Sequence, residues 1–517
     1  MLNKERKGNV SRREFLATTA AMTIGMATVV PRSVLGGRGH IAPSDKVTMV
    51  CIGCGTHALS AITPLLRSPH IEFVGAADPN RESYDYIAWG GPHSLRNRLR
   101  QLLDEPNWLE GIQGHPGGRD VMKFLLETYY RKNRQGWRGS IPVFEDYREM
   151  LDRMRDVDSV RIITPDHLHG YMAVDCIKRG KHQLMHKPVA NKVLEGIKVA
   201  DMAAASPTAT HLLAFNATGN SGVNQAMAWI AAGAIGTLRE IHNWTNRPGW
   251  PQFPDIPVET PPIPKGFNWD LWLGPAQMRD FSPQYTHATY RGWYEFGGGS
   301  IGDMGYYSMM LVWDALELGT AISASSRFAR VFRTNEYFVP SQMVNTWSFP
   351  NASAIRFEVP YKNGSGSIFF TWHDGGMKPS VPYGYDQDDL PRVGMMFVGD
   401  KGTIVADFHG RNPRLFGPDG IAAKYADVPF EPQRSGQTDD GTPLWLHGWL
   451  QNIRTGIKNP GAYELTRDLT ATFNLGAVSL QRNGRKLLYD PTLRRVTNDE
   501  EANALLGRDT RKGWEFV

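Results

Sequence analysis

The chain has 517 residues, 57 Lys or Arg against 52 Asp or Glu, a formal net charge of +5, and 41% hydrophobic residues. That length exceeds one ordinary hydrophobic core, so two domains are expected, and three cysteines (Cys51, Cys54, Cys176) are too few for a disulfide framework. The charge excess sits in residues 1–40, which hold seven basic and two acidic residues; the remainder is formally neutral and lacks a Lys/Arg cluster interleaved with aromatics, which argues against nucleic acid as a partner.

The first segment, 1–40, reads as a leader rather than as fold. Lys4, Arg6 and Lys7 precede SRREFL (Ser11 to Leu16), and the Ala, Met, Thr and Val run to Val30 is too short and weakly apolar for a membrane span. SRREFL resembles the bacterial twin-arginine export signal. That resemblance implies the twin-arginine export machinery as a partner, leader removal between about Ala27 and Pro43, and a periplasmic or otherwise exported protein with no stable membrane insertion afterwards.

From Val47 strand and helix signals alternate. Strands are predicted at Val47 to Ile52, Ile71 to Ala77, Asp158 to Thr164, His182 to Met185 and Thr210 to Phe215. Helices are predicted at His57 to Leu66, Asp120 to Arg131, Phe144 to Met154, Leu168 to Arg179 and Lys192 to Ala204. Short apolar strands with helical crossovers give a Rossmann-like parallel sheet over 45–216. The Gly-, Arg- and aromatic-rich stretch at about 87–140 reads as a surface insertion into it.

The glycines of CIGCGTHALS sit at the first strand-to-helix turn. Gly53 permits the tight turn, Gly55 allows a pyrophosphate to approach the backbone, and Ala58 takes the third small position of GxGxxA, with Thr56 and His57 in the same turn. Asp78 ends the second strand, where a carboxylate accepts hydrogen bonds from an adenosine ribose and repels a 2′-phosphate. This order favours NAD over NADP. Cys51 and Cys54 straddle the turn, and neither a redox nor a metal role is expected of them.

Two further strand ends carry polar residues to the carboxyl edge of the sheet: IITPDHLH, with Thr164, Pro165, His167 and His169, and HQLMHKP, with His186, Lys187 and Pro188. These stretches resemble the Gfo/Idh/MocA oxidoreductases, NAD(P)-dependent enzymes of sugars, inositols and related polyols. The resemblance implies that Lys187 is catalytic, that Pro188 fixes the backbone behind it, in some members as a cis peptide, and that Thr164, Pro165 and His167 line the nicotinamide side. The family commonly has Glu where this chain has His186.

The second domain, 217–460, reads as aromatic-rich α+β. The resemblance implies an open mixed sheet that often builds an oligomer interface, so a homo-oligomer is expected. Helices are predicted at Asn224 to Ala232, Trp445 to Arg454 and Glu464 to Leu480. Strands are predicted at Thr237 to Trp244, Met343 to Phe349, Ser353 to Glu358 and Gly366 to Trp372, with a hairpin over Met395 to Ala406 and a Pro- and Trp-rich excursion from Asn246 to Pro283. Residues 461–517 read as a C-terminal helix and a tail that wraps over the core.

In YTHATYRGWYEFGGGSIGDMGYYSMML, Asp303 opens a helix and Tyr307 lies one turn on, about 6 Å along the axis. The resemblance places an Asp and a His at these positions, so Asp303 matches and Tyr307 replaces the histidine. A phenol near pKa 10 needs a neighbouring cation to serve as a base at neutral pH. A Lys187 and Asp303 centred site ranks first, with Tyr307 assisting. Trp250, Tyr285, His287, Arg291 and His169 are the candidate substrate contacts, because aromatic faces stack on sugar C–H surfaces and polar groups read hydroxyls.

Three readings follow. The first is hydride transfer from a secondary hydroxyl, plausibly C3, of a sugar or glycoside to tightly held NAD. The second is glycoside hydrolysis through transient C3 oxidation, elimination, hydration and re-reduction. The third is a non-catalytic nucleotide-holding binding protein.

Overall fold

In the computed structural model the described residues are 41–42, 45–87, 93–214, 221–250, 252, 257, 259–330, 347–362, 366–382, 386–432 and 436–516. The leader read from the sequence, Phe215 and residues 343–346 of the expected strand lie outside them. The chain divides into two units, Met1–Lys46 and Val47–Val517, and the elements below belong to the second.

The first eight strands are β1 (Val47–Ile52), β2 (Ile71–Ala77), β3 (Ser83–Tyr86), β4 (His115–Gly117), β5 (Val143–Phe144), β6 (Ser159–Ile162), β7 (His182–Met185) and β8 (Thr210–Leu212). All but β3 and β4 form one parallel sheet in the order β5-β2-β1-β6-β7-β8. The strands are short and apolar because helices cover both faces of such a sheet. Its carboxyl edge therefore collects Gly53, Asp78, Ile163 and His186.

Three expectations change. The helix expected over His57 to Leu66 is two pieces, Thr56–Ser60 and Thr63–Arg67, with Pro64 opening the second. In one continuous helix the Pro64 ring would clash with the Ser60 carbonyl and lack the N–H to pair with it. The insertion contributes core as well as surface: helix Ser94–Leu103, which the sequence reading missed, and helix Arg119–Asn133 send Leu95, Leu99, Met122 and Leu126 into one cluster with Met49, Leu59 and Phe73. The helix expected from Glu464 begins as a 3₁₀ turn, Tyr463–Thr466, before Arg467–Gln481.

The second sheet is built from β9 (Leu238–Trp244), β10 (Ser323–Ala329), β11 (Ala352–Pro360), β12 (Ser367–His373), β13 (Gly394–Gly399), β14 (Thr403–Asp407), β15 (Arg414–Phe416), β16 (Leu487–Asp490) and β17 (Arg495–Val496). Their order is β15-β14-β13-β9-β12-β11-β10-β16-β17, and β9 runs parallel to β12 while the other pairings are antiparallel. The result is a mixed sheet that takes its last two strands from the C-terminal segment. Helices Tyr306–Ala315 and Arg467–Gln481 pack on it through Trp313 and Phe473, whose rings meet Phe370. Of the expected strand Met343 to Phe349, only an isolated bridge between Ser348 and Trp293 is described.

The excursion after Asn246 crosses to the first domain. Gly266 O accepts the Arg81 N–H (2.8 Å), the Asn268 N–H donates to Pro79 O (2.9 Å), and Phe267 bridges Asn80. This brings Leu271 and Trp272 over the sheet edge next to Asp78.

Candidate active site

The cleft begins at the glycine turn. Gly53 has φ +88°, and a Cβ there would lie 2.0 Å from Ile163 O, so only glycine allows β1 and β6 to end side by side. Asp78 is tied back to the turn: Oδ2 accepts the Cys54 N–H (2.6 Å) and Oδ1 the Asn80 N–H (2.8 Å). A carboxylate has further lone pairs for two ribose hydroxyls. Burial pushes its pKa up against the pull of those N–H groups.

Helix Thr56–Ser60 opens with no capping side chain, Thr56 Oγ1 donates to Ile87 O (2.7 Å), and Ala58 is fully buried. Gly53, Gly55, Thr56, His57, Ala58, Asp78, Thr164, Pro165 and His186 all line one cleft. A turn without side-chain caps, a carboxylate at the end of β2 and small residues between them fit a dinucleotide. A Cβ on Gly55 would come 3.0 Å from the ring of Tyr86, a cleft-lining residue from the insertion that the sequence reading missed.

Behind Arg291 and His186, which line the cleft, the two domains meet through charge. Lys187 follows β7, and its peptide bond to Pro188 is cis. Lys187 Nζ lies 2.6 Å from Asp303 Oδ1, and Arg291 Nε donates to the same oxygen at 3.0 Å. Asp303 sits in a π turn, Ile301–Gly305, that leads into helix Tyr306–Ala315. Such single turns recur at functional sites because they re-aim side chains within a helix. Asp166, absent from the sequence candidates, fixes the segment before it: Oδ2 accepts the Gly298 N–H (2.9 Å) and Oδ1 the Tyr290 hydroxyl (3.2 Å).

Tyr307 places its hydroxyl 3.2 Å from His186 Nε2, and the His57 ring lies 4.2 Å from that of His186. Lys187 Nζ stands 5.0 Å from the Tyr307 ring centre. Burial alone would raise the Asp303 carboxyl, but Lys187 and Arg291 hold it well below the usual carboxylate range. Burial raises the Tyr307 phenol, and the pull of Lys187 does not overcome it, so the cation-lowered phenol considered from the sequence is not the arrangement found. Burial first, then Lys187 and Arg291, bring His57 down to about 3. Burial, with the charges of His57 and Lys187, takes His186 well below its ordinary value. Both imidazoles are neutral at pH 7.

The remaining candidates are spread differently. His287 lines the cleft, pairs with Asp85 (3.2 Å) and packs on Tyr86. His167 is buried away from the cleft lining, bonded to Trp272 O (3.1 Å). His169 is also buried behind the cleft, its ring between Pro188 O (2.6 Å) and Thr164 O (3.0 Å); burial lowers its pKa, and the neutral ring donates to one of the two. Tyr285 packs in an aromatic cluster with Trp269, Trp293 and Phe296. Trp250 is buried and outside the cleft lining. The sequence shows which aromatics exist, and only packing shows which face a cavity.

Residues 132–212 match the Gfo/Idh/MocA "Oxidoreductase family, NAD-binding Rossmann fold", and residues 242–316 match the family's "C-terminal alpha/beta domain". Glycosyl hydrolase family 109 protein 1 of Shewanella sp. (strain ANA-3) is 25% identical over 197 residues, 38% of this chain and 37% of that protein. Levoglucosan dehydrogenase of Pseudarthrobacter phenanthrenivorans is 32% identical over 113 residues, 22% of this chain and 28% of that protein. Less than two fifths of either relative is therefore matched. Among solved structures, the WlbA dehydrogenase from Bordetella pertussis, in complex with NADH and UDP-GlcNAcA, is 15% identical with a TM-score of 0.46, covering 85% of this chain and 98% of that one. Over the two matched segments this chain carries Gfo/Idh/MocA oxidoreductase-family domains, an NAD-binding Rossmann fold followed by the family's α/β domain.

Proposed function

We propose that the protein is an NAD-dependent oxidoreductase that oxidises a secondary hydroxyl, at C3, of a sugar or glycoside. The observation that carries this is the meeting of Lys187 and Asp303, from different domains, next to His186 and Arg291, which line the cleft that starts at Gly53 and Asp78. NAD supplies the hydride acceptor when bound, and the protein supplies placement and charge.

Lys187, held by Asp303, presents its remaining N–H groups to the reacting oxygen and stabilises the negative charge that develops there. Asp303 is too acidic to be the base and acts as the orienter of Lys187. The Tyr307 hydroxyl and the neutral His186 Nε2 form the route by which the hydroxyl proton leaves. Arg291 keeps Asp303 ionised throughout.

A second reading is favoured by the resemblance to the glycosyl hydrolase of Shewanella. Oxidation at C3 acidifies the C2 proton, the glycosidic substituent is eliminated, water adds and the ketone is reduced again, so hydrolysis proceeds without net reduction of the nucleotide. The SRREFL leader supports export of the folded protein, where a recycled nucleotide is an advantage.

The test is to purify the protein, identify released nucleotide, and incubate it with glycosides while following nicotinamide absorbance and product sugars. A keto sugar with reduced nucleotide supports net oxidation, and free sugar without reduction supports hydrolysis. Lys187→Ala is expected to abolish turnover and keep the nucleotide. Unchanged turnover in that variant would remove Lys187 from the chemistry, and nucleotide binding without any turnover in the parental protein would sink both readings and leave a binding protein.

A further inference from the structure

Residues 506–516 form a strap that ends in the wall of the cleft. It starts where Leu506 O accepts the Leu194 N–H (2.9 Å). The Arg508 side chain, 2% exposed, then donates to Glu195 (3.0 Å), Asn191 Oδ1 (2.6 Å) and Glu295 (2.8 Å), joining the first domain to the loop that leads to Asp303. Arg511 donates to Gly274 O (2.9 and 2.6 Å) and pairs with Asp270, in the excursion that carries Leu271 and Trp272 into the cleft wall. The strap brings Trp514 under the guanidinium of Arg148, 4.3 Å from the ring centre, with Tyr147 alongside at 6.5 Å.

The position of Trp514 along the cleft follows from the sheet order. Tyr147 and Arg148 come after β5, which pairs with β2, and β2 ends at Asp78. Lys187 follows β7, on the other side of β1. Trp514 therefore lines the Asp78 end of the cleft, and Leu168, Met172 and Leu271 line the same cleft, with Leu168 and Trp514 both against Gly274.

We propose that Trp514 and these apolar residues form the adenine pocket, and that the strap, fastened by Arg508 and Arg511, holds the dinucleotide in place between turnovers. A planar base buried against aromatic and aliphatic groups gains stacking and loses water, and nothing in that contact depends on the reacting end. The nucleotide leaves only when the strap lifts, which requires breaking the Arg511 and Trp514 contacts. This inference rests on the dinucleotide reading of the cleft.

The full-length protein loaded with NADH is chased with excess ADP-ribose, and loss of nicotinamide fluorescence is followed. Trp514→Ala and Arg511→Gln are each expected to speed release by about tenfold, the size of one base–aromatic stack. Trp514→Phe is expected to retain most of the retention, and the affinity for reduced nicotinamide mononucleotide, which lacks adenine, is expected to be unchanged. If Trp514→Ala does not fold, Arg511→Gln and Trp514→Phe carry the comparison. Release at the parental rate in folded Trp514→Ala or Arg511→Gln, or an equal loss of affinity for the mononucleotide, overturns the adenine pocket. Failure of the parental protein to bind ADP-ribose at all overturns the dinucleotide reading instead.

Discussion

Lys187 Nζ and Asp303 Oδ1 are 2.6 Å apart, although they stand 116 positions apart in the chain and come from different domains. Lys187 is placed by the end of β7 and Asp303 by a π turn, so the pair exists only when both domains are folded and docked. The same oxygen also receives Arg291. The carboxylate is thereby fixed in orientation and in charge, and Lys187 is left with its other N–H groups for a substrate oxygen.

Removing one member of this buried pair leaves charge uncompensated. Asp303→Asn is expected to lower the unfolding free energy by roughly 3–5 kcal/mol, because Lys187 and Arg291 remain buried without their counter-ion. Lys187→Met with Asp303→Leu is expected to recover part of that loss while remaining inactive. Urea titration of the two variants checks this, and an Asp303→Asn variant as stable as the parent would show that the pair is not shielded from water.

Asp166 acts on the site through the backbone. Its carboxylate holds Gly298 and Tyr290, a few residues before Asp303. Asp166→Ala is expected to reduce kcat by roughly 10²-fold, the effect of displacing a catalytic group by about 1 Å, with bound nucleotide unchanged. Nucleotide stoichiometry measured beside the steady-state rate separates this from a loss of cofactor binding.

Tyr307 is the residue whose hydroxyl most directly tests the proposed proton route. Tyr307→Phe removes only the hydroxyl that meets His186. Turnover is expected to fall by about 10²-fold or more, in the range of general acid–base contributions, with stability and nucleotide content retained. A variant at the parental rate would mean that the proton leaves by another route.

The sequence made five of the six strands of the first sheet legible, because they are short apolar runs, and missed β5, two residues long, whose Phe144 reads as the start of the following helix. It also singled out Lys187 and Asp303, through the resemblance carried by HQLMHKP and GGGSIGDMGYY, and the structure brings these two side chains together. Asp166, Tyr86 and Trp514 were hidden because their roles depend on contacts across 132 residues, in the case of Asp166 and Gly298, or on a strap whose destination no local pattern encodes. His167 and Tyr285 were misplaced for the complementary reason. Residue type suits them to a sugar site, and packing against Trp272 and Phe296 puts them in the core.

Burial of neutral histidines sets the response to acid. His57, His167 and His373 are each brought by burial from 6.5 down to about 3, so between those values the unfolded chain binds protons that the folded chain refuses. Stability therefore falls as pH drops below 6.5, by roughly 1.4 kcal/mol per pH unit for each such histidine. Asp374 works in the opposite direction: burial raises it from 3.8 to about 7, so its contribution grows as pH falls across that window and cancels about one histidine. The net expectation is a loss of stability between pH 6.5 and 5, steeper than one proton. His167→Gln, which removes a group far from Lys187 in role, is expected to flatten the slope by about one proton without changing turnover at pH 7. Urea midpoints at pH 7, 6 and 5 for the parent and this variant measure it, and parallel slopes would show that His167 is protonated in the folded protein.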